Sequence, residues 1–396
     1  MSHKRQEIGD RDLQGFKYFE KVRRLLERLH KAGCQRDRAH NRRLHMDEYT
    51  SLLLLYLFNP ICVSLRALQQ ASELKKVQRV LGVSRSSLGS LSEAAGVFDS
   101  EWLLGLIQEM GAELGPLPHD ASLDDLGGAV VTLVDGTVLE ALPKVAAVLG
   151  LGGPSPAFKA HVEFELIKGV PVAATLTEAH ADERKVLEAN LRPGRLYVDD
   201  RGYADYGLFQ KILDAGSHFV TRLRDNAVFE VVEERELSAE ALKAGVVRDA
   251  VVWLGGPQTR DKLCHPMRIV EVECHPHRKP NKTGRGGPEQ GDTILIVTDL
   301  LDVPAEVVAM LYEHRWQIEI FFRMFKHLLG CRHLLSHCQN GIELQVYSAI
   351  VACLLIALYT GGKPTQRTYE MLAWYFMGWA DEDELETHIA KLKKQA

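Results

Sequence analysis

YEHRWQIEIFFRMFK, residues 312–326, is the stretch whose reading decides the fold. Tyr312, Arg315, Glu319 and Lys326 stand at offsets 0, 3, 7 and 14 within it. At about 100° per residue, all four project from one narrow face of a single α-helix. The other faces carry Trp316, Ile318, Ile320, Phe321, Phe322, Met324 and Phe325. So apolar a helix is expected to be mostly buried, and a carboxylate beside an arginine, a tyrosine and a lysine needs partners there. The plain alternative is a solvated stripe, with Arg315 and Glu319 an i,i+4 pair contributing a few tenths of a kcal/mol.

Upstream lies a run of strands. Ala129–Thr137 is β-branched and ends on Asp135-Gly136-Thr137, His161–Leu166 alternates, and Pro171–Leu176 follows a Lys168-Gly169 hairpin turn. Asp182–Leu191 reads as a helix followed by Pro193-Gly194. A fourth strand, Arg195–Asp200, a helix, Tyr206–Leu213, and a fifth strand, His218–Leu223, complete the order βββαβαβ. From there to about Gly291 the text is short strands with polar turns: Val228–Glu233, Arg248–Leu254 and Met267–Glu273. Thr293–Leu300 returns as a strand, and Pro304 opens the helical stretch of the first motif. This is an α/β chain with a mixed sheet and a β-rich insertion.

Asp135 ends the first strand and Asp200 the fourth. If those strands are neighbours, both carboxylates sit at one edge, where the helix could bring Glu319. Three clustered carboxylates raise one another's pKa unless cations lie between them. Hard oxygen donors suit Mg²⁺ or Mn²⁺. Two such ions about 3.5–4 Å apart serve in-line phosphodiester displacement. Each aspartate also has a plain reading, Asp135-Gly136 as a turn and Asp199-Asp200 as a solvated strand end. Successive strand residues point to opposite faces, so only one of Asp199 and Asp200 can belong to the site.

The flanks are helical: Leu13–His30 and Met46–Phe58 at one end, and everything beyond Ser336 at the other. Residues 75–88 read as helix, glycine turn and a second helix opening near Ser84. That fits a helix-turn-helix or a plain helical hairpin. A net charge of −5 gives no overall basic signature, so nucleic acid must be met by local patches. Residues 1–45 hold 13 Lys+Arg against 6 Asp+Glu, and residues 275–285 form a loop with Arg278, Lys279, Lys282 and Arg285. The seven cysteines are scattered and odd in number, as free thiols in a reducing compartment would be. Cys264, His265, Cys274, His275 and His277 lack a zinc-site rhythm, as do Cys331, His333, His337 and Cys338. The charged N-terminus has no signal-peptide pattern. Val346–Tyr359 contains Ser348 and reads as a core helix, so no membrane partner is expected.

Three motifs give the chain a family resemblance: Val134-Asp135-Gly136-Thr137, Asp200-Arg201-Gly202-Tyr203, and Tyr312, Arg315, Glu319 and Lys326 in a Y-x2-R-x3-E-x6-K pattern. It resembles the DDE-type insertion-sequence transposases, firmly over residues 130–335 and loosely in the helical flanks. The resemblance implies a ribonuclease H-like fold with five parts: a helical DNA-binding region at 1–125, the first part of the catalytic core at 126–225, a β-rich insertion at 226–292, the second part of the core at 293–335, and a helical region at 336–396 that could dimerise. The gap of 119 residues between Asp200 and Glu319 (319 − 200) fits such an insertion.

By the same resemblance Asp135, Asp200 and Glu319 are the catalytic and metal-binding residues, holding two Mg²⁺ or Mn²⁺ ions. The family's aspartate directly precedes Arg-Gly-Tyr, which selects Asp200 over Asp199. Tyr312, Arg315 and Lys326 would contact DNA, and Arg222 resembles an arginine the family carries after its fifth strand, with structural pairing as its alternative. Trp253, on Val251-Val252-Trp253-Leu254, matches a tryptophan of the family's insertion that stacks on a flipped base, with a core role as its alternative. The implied partners are element-end and target DNA and a second copy in the synaptic complex. The implied location is the bacterial cytoplasm, on nucleoid DNA. A nuclease of the same fold without strand transfer, or a domesticated, catalytically silent DNA-binding protein, are the competing expectations.

Overall fold

The computed structural model describes residues 19–31, 36–37, 42–59, 61–124, 126–140, 157–256, 262–273, 292–330, 335–336, 338–362 and 365–395. The N-terminal helices are α1 (Phe19–Glu27), α2 (Met46–Phe58), α3 (Leu65–Ser72), α4 (Lys75–Leu81), α5 (Leu88–Val97) and α6 (Glu101–Glu113). α2 is apolar nearly all round and buried, as a helix inside a core must be. Its buried Glu48 is satisfied by the amides of His45 (2.9 Å) and Ser84 (2.7 Å). α4 stops on Gly82 at φ +67°, as the sequence predicts. The next helix begins later than predicted, because Ser87 rather than Ser84 supplies the cap, accepting from the Ser90 amide at 3.0 Å. The connection, residues 82–87, is longer than the three- or four-residue turn of a helix-turn-helix.

The strands are β1 (Val130–Glu140), β2 (Ala157–Glu165), β3 (Val170–Glu178), β4 (Arg195–Asp199), β5 (His218–Arg222), β6 (Phe229–Glu234), β7 (Val246–Leu254), β8 (Met267–Glu273) and β9 (Thr293–Thr298). Among the described residues they form one nine-stranded sheet, ordered β3-β2-β1-β4-β5-β9-β8-β7-β6. β1, β4 and β5 run parallel, and the remaining pairings are antiparallel. β6, β7 and β8 therefore build no sheet of their own. They continue the first five strands through β9, which pairs with both β8 and β5. Helices α7 (Glu183–Ala189), α8 (Tyr206–Asp214) and the short α9 (Ala239–Lys243) interleave with the strands. α9 is not foreshadowed in the sequence.

The expected single helix over 312–326 is two: α10 (Ala305–Glu313) and α11 (Trp316–Gly330). They meet at His314–Arg315, where Arg315, Gln317 and Ile318 donate to carbonyls three residues back instead of four (Tyr312, 3.1 Å; His314, 2.9 Å; Arg315, 3.3 Å). α11 buries Ile318, Phe321, Phe322 and Phe325, but Trp316 and Ile320 are 49% and 40% exposed, so this helix is half-covered rather than engulfed.

The chain ends in α12 (Gln339–Thr360), α13 (Gln366–Met377) and α14 (Glu382–Gln395). By length and composition α12 alone among the described helices could cross a membrane, yet most of it is buried, so it is a core helix. It packs on α2, α5 and α6 and on β3. The two helical flanks, far apart in sequence, thus share one core on one face of the sheet. Asn340 Nδ2 ties them, donating to the Ala95 and Phe98 carbonyls at 2.7 Å each. The opposite face is covered by α7 and α8 around Tyr197, Phe209 and Phe219.

Candidate active site

Parallel pairing of β1 with β4 runs from Val130↔Arg195 to Leu133↔Val198. Two residues further on, side-chain alternation gives Asp135 and Asp200 the same face. Asp135 does not end its strand, as the sequence suggested. β1 runs on to Glu140 because its antiparallel partner β2 supports it beyond the last β4 pair. Asp135 therefore sits where β4 stops, beside a gap in the sheet. Val198↔Val220 pairing of β4 with β5 puts Arg222 on the same face by the same parity. Asp199 and Thr221 fall on the other face, the side of α8.

Each aspartate is held by the backbone. Asp135 Oδ1 accepts from the Gly136 amide at 2.7 Å, and Asp200 Oδ1 accepts from the Gly202 amide at 2.7 Å. Burial pushes the Asp135 carboxyl up to about 7, and the Asp200 charge acts in the same direction. Asp199 is fully buried and neither of its oxygens makes a hydrogen bond. Burial raises it well above the carboxylate range; Thr221, opposite it in register, offsets part of this without closing a well-formed bond. Asp199 is thus a buried group behind the site, with burial disfavouring its charged form.

The α10–α11 junction faces this edge. Arg315 Nη1 pairs with Glu319 Oε1 at 2.8 Å, and its guanidinium lies 5.9 Å from the Tyr312 ring and 5.7 Å from that of Trp316. Burial works against the Arg315 charge, but Tyr312, Glu319 and Asp135 together hold it up. Burial likewise raises Tyr312, with Asp200 adding to the shift and Arg315 and Arg222 opposing it. Glu319 and Tyr312 thus flank Arg315 directly, the Asp135 charge acts on Arg315, and the Asp200 and Arg222 charges act on Tyr312. The i,i+4 pair of the plain reading exists, but on a half-buried arginine inside this cluster.

Lys326 is exposed on α11, seven residues past Glu319, which is about 10 Å along a helix axis. Trp253 is half-buried on β7 and is not brought to the aspartates. Four strand steps separate β7 from β4, roughly 19 Å at the usual spacing. Arg278, Lys279, Lys282 and Arg285 lie outside the described residues, as do His275, His277 and His333.

The donors are hard oxygens, which suit Mg²⁺ or Mn²⁺, and a bound cation would favour the charged form of Asp135, which burial first and the Asp200 charge after it disfavour. Among the described residues no three Asp, Glu, His or Cys side chains stand ready as a metal cage; Glu319 is engaged by Arg315. The site thus fits a divalent ion in charge and donor type.

Sequence reasoning missed Glu183 and Lys159. They form an ion pair against this edge. The available signal was Asp182-Glu183 at a helix start, which reads as ordinary capping.

The model of the transposase DDE domain matches residues 126–355, and the chain belongs to that family. A Sinorhizobium fredii protein named as a transposase, y4zB, is 30% identical over 59% of this chain and 61% of its own length. A Geobacillus stearothermophilus protein named as the transposase of insertion sequence element IS5377 is 25% identical over 52% of this chain and 50% of its own. The chain thus matches about half to three-fifths of the length of these relatives. Among solved structures, a piggyBac transposase synaptic complex with hairpin DNA aligns at a TM-score of 0.41 and 12% identity, covering 95% of this chain and 84% of that one.

Proposed function

We propose that this protein is a DNA transposase that binds the ends of its element, cuts them and joins them to target DNA. The observation that carries this reading is that Asp135 and Asp200 share one face of the sheet and act electrostatically on the Arg315–Tyr312–Glu319 group, which comes from elements far apart in sequence. We read β1–β5, with order β3-β2-β1-β4-β5, as a ribonuclease H-like core and β6–β8 as its insertion.

Asp135, Asp200 and Glu319 would hold two Mg²⁺ or Mn²⁺ ions, which when bound activate the attacking oxygen and stabilise the leaving one. In the first reaction water attacks the phosphorus at the element end and the 3′-oxygen leaves as a hydroxyl. In the second that 3′-hydroxyl attacks a target phosphodiester and displaces the target's own 3′-oxygen. Arg315 and Lys326 supply charge-assisted contacts to phosphates flanking the cut, and Tyr312 a hydroxyl donor. Arg222 lies on the aspartate face and serves the same strand. Two copies act together on paired ends, in the bacterial cytoplasm on nucleoid DNA.

Substitution tests the assignment. Asp135→Ala, Asp200→Ala and Glu319→Ala should each abolish cleavage of a labelled end while a gel-shift assay shows end binding retained. Asp199→Asn, on the opposite face of the sheet, should cleave. An Asp200→Ala protein that cleaves normally would sink the assignment.

A further inference from the structure

The two aspartates are each fixed by a glycine amide, and a single carboxylate lies on the side-chain side of both glycines. Gly136 has no positive φ, so it is not a turn glycine. Its need is space: a Cβ there would lie 2.7 Å from Glu183 Oε1 and 2.7 Å from Lys159 Cε. A Cβ at Gly202 would lie 2.9 Å from Asp200 Oδ1 and 3.7 Å from Glu183 Oε2. One oxygen of Glu183 thus faces the Asp135 glycine and the other the Asp200 glycine. Lys159, on β2, clamps the carboxylate by an ion pair.

A second feature points into the same place. Tyr203 is fully buried, and its hydroxyl has no hydrogen-bond partner. The charges of Glu183, Asp135, Asp199 and Asp200 all act on it. Glu183 and Tyr203 also line one small cavity beneath α7, with room for about a water molecule. An unsatisfied buried hydroxyl among carboxylates fits a bridging water or a carboxylate that shifts when the site is loaded.

We propose that Glu183, clamped by Lys159, is a positioning residue of the catalytic site: it enters from the α7 face, wedges against Gly136 and Gly202, and fixes the spacing of Asp135 and Asp200. Its charge adds to the pull of the aspartate pair on a divalent cation, and Lys159 tempers it. Glu183 touches neither DNA nor the reacting atoms. The inference rests on the metal-dependent reading above.

The test is Mn²⁺ alone, titrated into the full chain and followed by electron paramagnetic resonance, with a melting curve for each variant. Glu183→Gln removes one charge and leaves Lys159 unpaired, and should weaken Mn²⁺ binding by about tenfold. Lys159→Met should change it the opposite way, by tightening it. Gly136→Ala, whose methyl must displace Glu183, should weaken it as Glu183→Gln does. A purely structural ion pair behaves otherwise: both partners' variants lower the melting temperature alike and leave Mn²⁺ affinity unchanged. That result would overturn the proposal. If Glu183→Gln fails to fold, Lys159→Met and Gly136→Ala decide it by the same signs. No Mn²⁺ binding by the unaltered protein would instead overturn the metal reading itself, and this one with it.

Discussion

Asp135 carries a stability prediction of its own. An unfolded aspartate has a pKa of about 3.9, and the folded one is pushed up to about 7. The folded state therefore holds a proton through that window that the unfolded state has lost. Stability contributed by this group falls as pH rises from about 4 to about 7 and stays low above it. Asp135→Asn should remove the penalty, stabilising the metal-free protein at pH 8 by roughly 2–4 kcal/mol. The gain should shrink below pH 5. Calorimetric melting at both pH values checks the sign, and a gain that grows toward acid pH would contradict it. Asp200 and Asp199 illustrate what a residue pattern can decide. Strand alternation says that only one can share a face with Asp135; by the register that one is Asp200, and Asp199 is buried on the other face.

At the scale of elements, most strand ends were legible to within about two residues, because composition and turn glycines are local signals, but β2 starts at Ala157, ahead of the expected His161. The break between α10 and α11 was not. No glycine or proline marks His314–Arg315, and the tightened turn keeps Tyr312, Arg315 and Glu319 facing together, so the periodicity reads straight through it. That junction makes Arg315 the hinge of the cluster. Arg315→Ala and Lys326→Ala should each weaken end binding and flatten the log affinity–log salt slope by about one unit per lost phosphate contact. Binding titrations at several salt concentrations check this. An unchanged slope with a lowered melting temperature would return these residues to a structural stripe. The start of β1 was legible and its end was not, since Asp135-Gly136 resembles a turn and only the distant β2 keeps the strand going. Gly136 was conspicuous for a conformational reason and needed for a steric one.

At the scale of the molecule, the sequence announced helical flanks, a strand-rich middle and an insertion, but not how they join. That β6–β8 continue the sheet of β1–β5 depends on the β5–β9 pairing, and that the flanks share one core depends on α12 meeting α6; both are contacts between distant residues. Asn340 is the clearest single tie, with one amide nitrogen serving two carbonyls. Asn340→Ala should cost about 1–3 kcal/mol by leaving those carbonyls unpaired, read by denaturant unfolding; an unchanged midpoint would mean the flanks are held by apolar packing alone. Trp253 lies on β7, four strand steps from β4, so a role on a flipped base would have DNA reach across the sheet.

The most direct test of the central claim is strand transfer by the full chain. A labelled element end, taken from the inverted repeats flanking the coding frame, is incubated with a plasmid target in Mg²⁺, Ca²⁺ or EDTA. The account predicts joined product in Mg²⁺, end binding with little product in Ca²⁺, whose looser coordination misplaces the attacking oxygen, and no product in EDTA. Cleaved ends that never join would make the protein a nuclease, and joining in EDTA would contradict the metal-dependent mechanism outright.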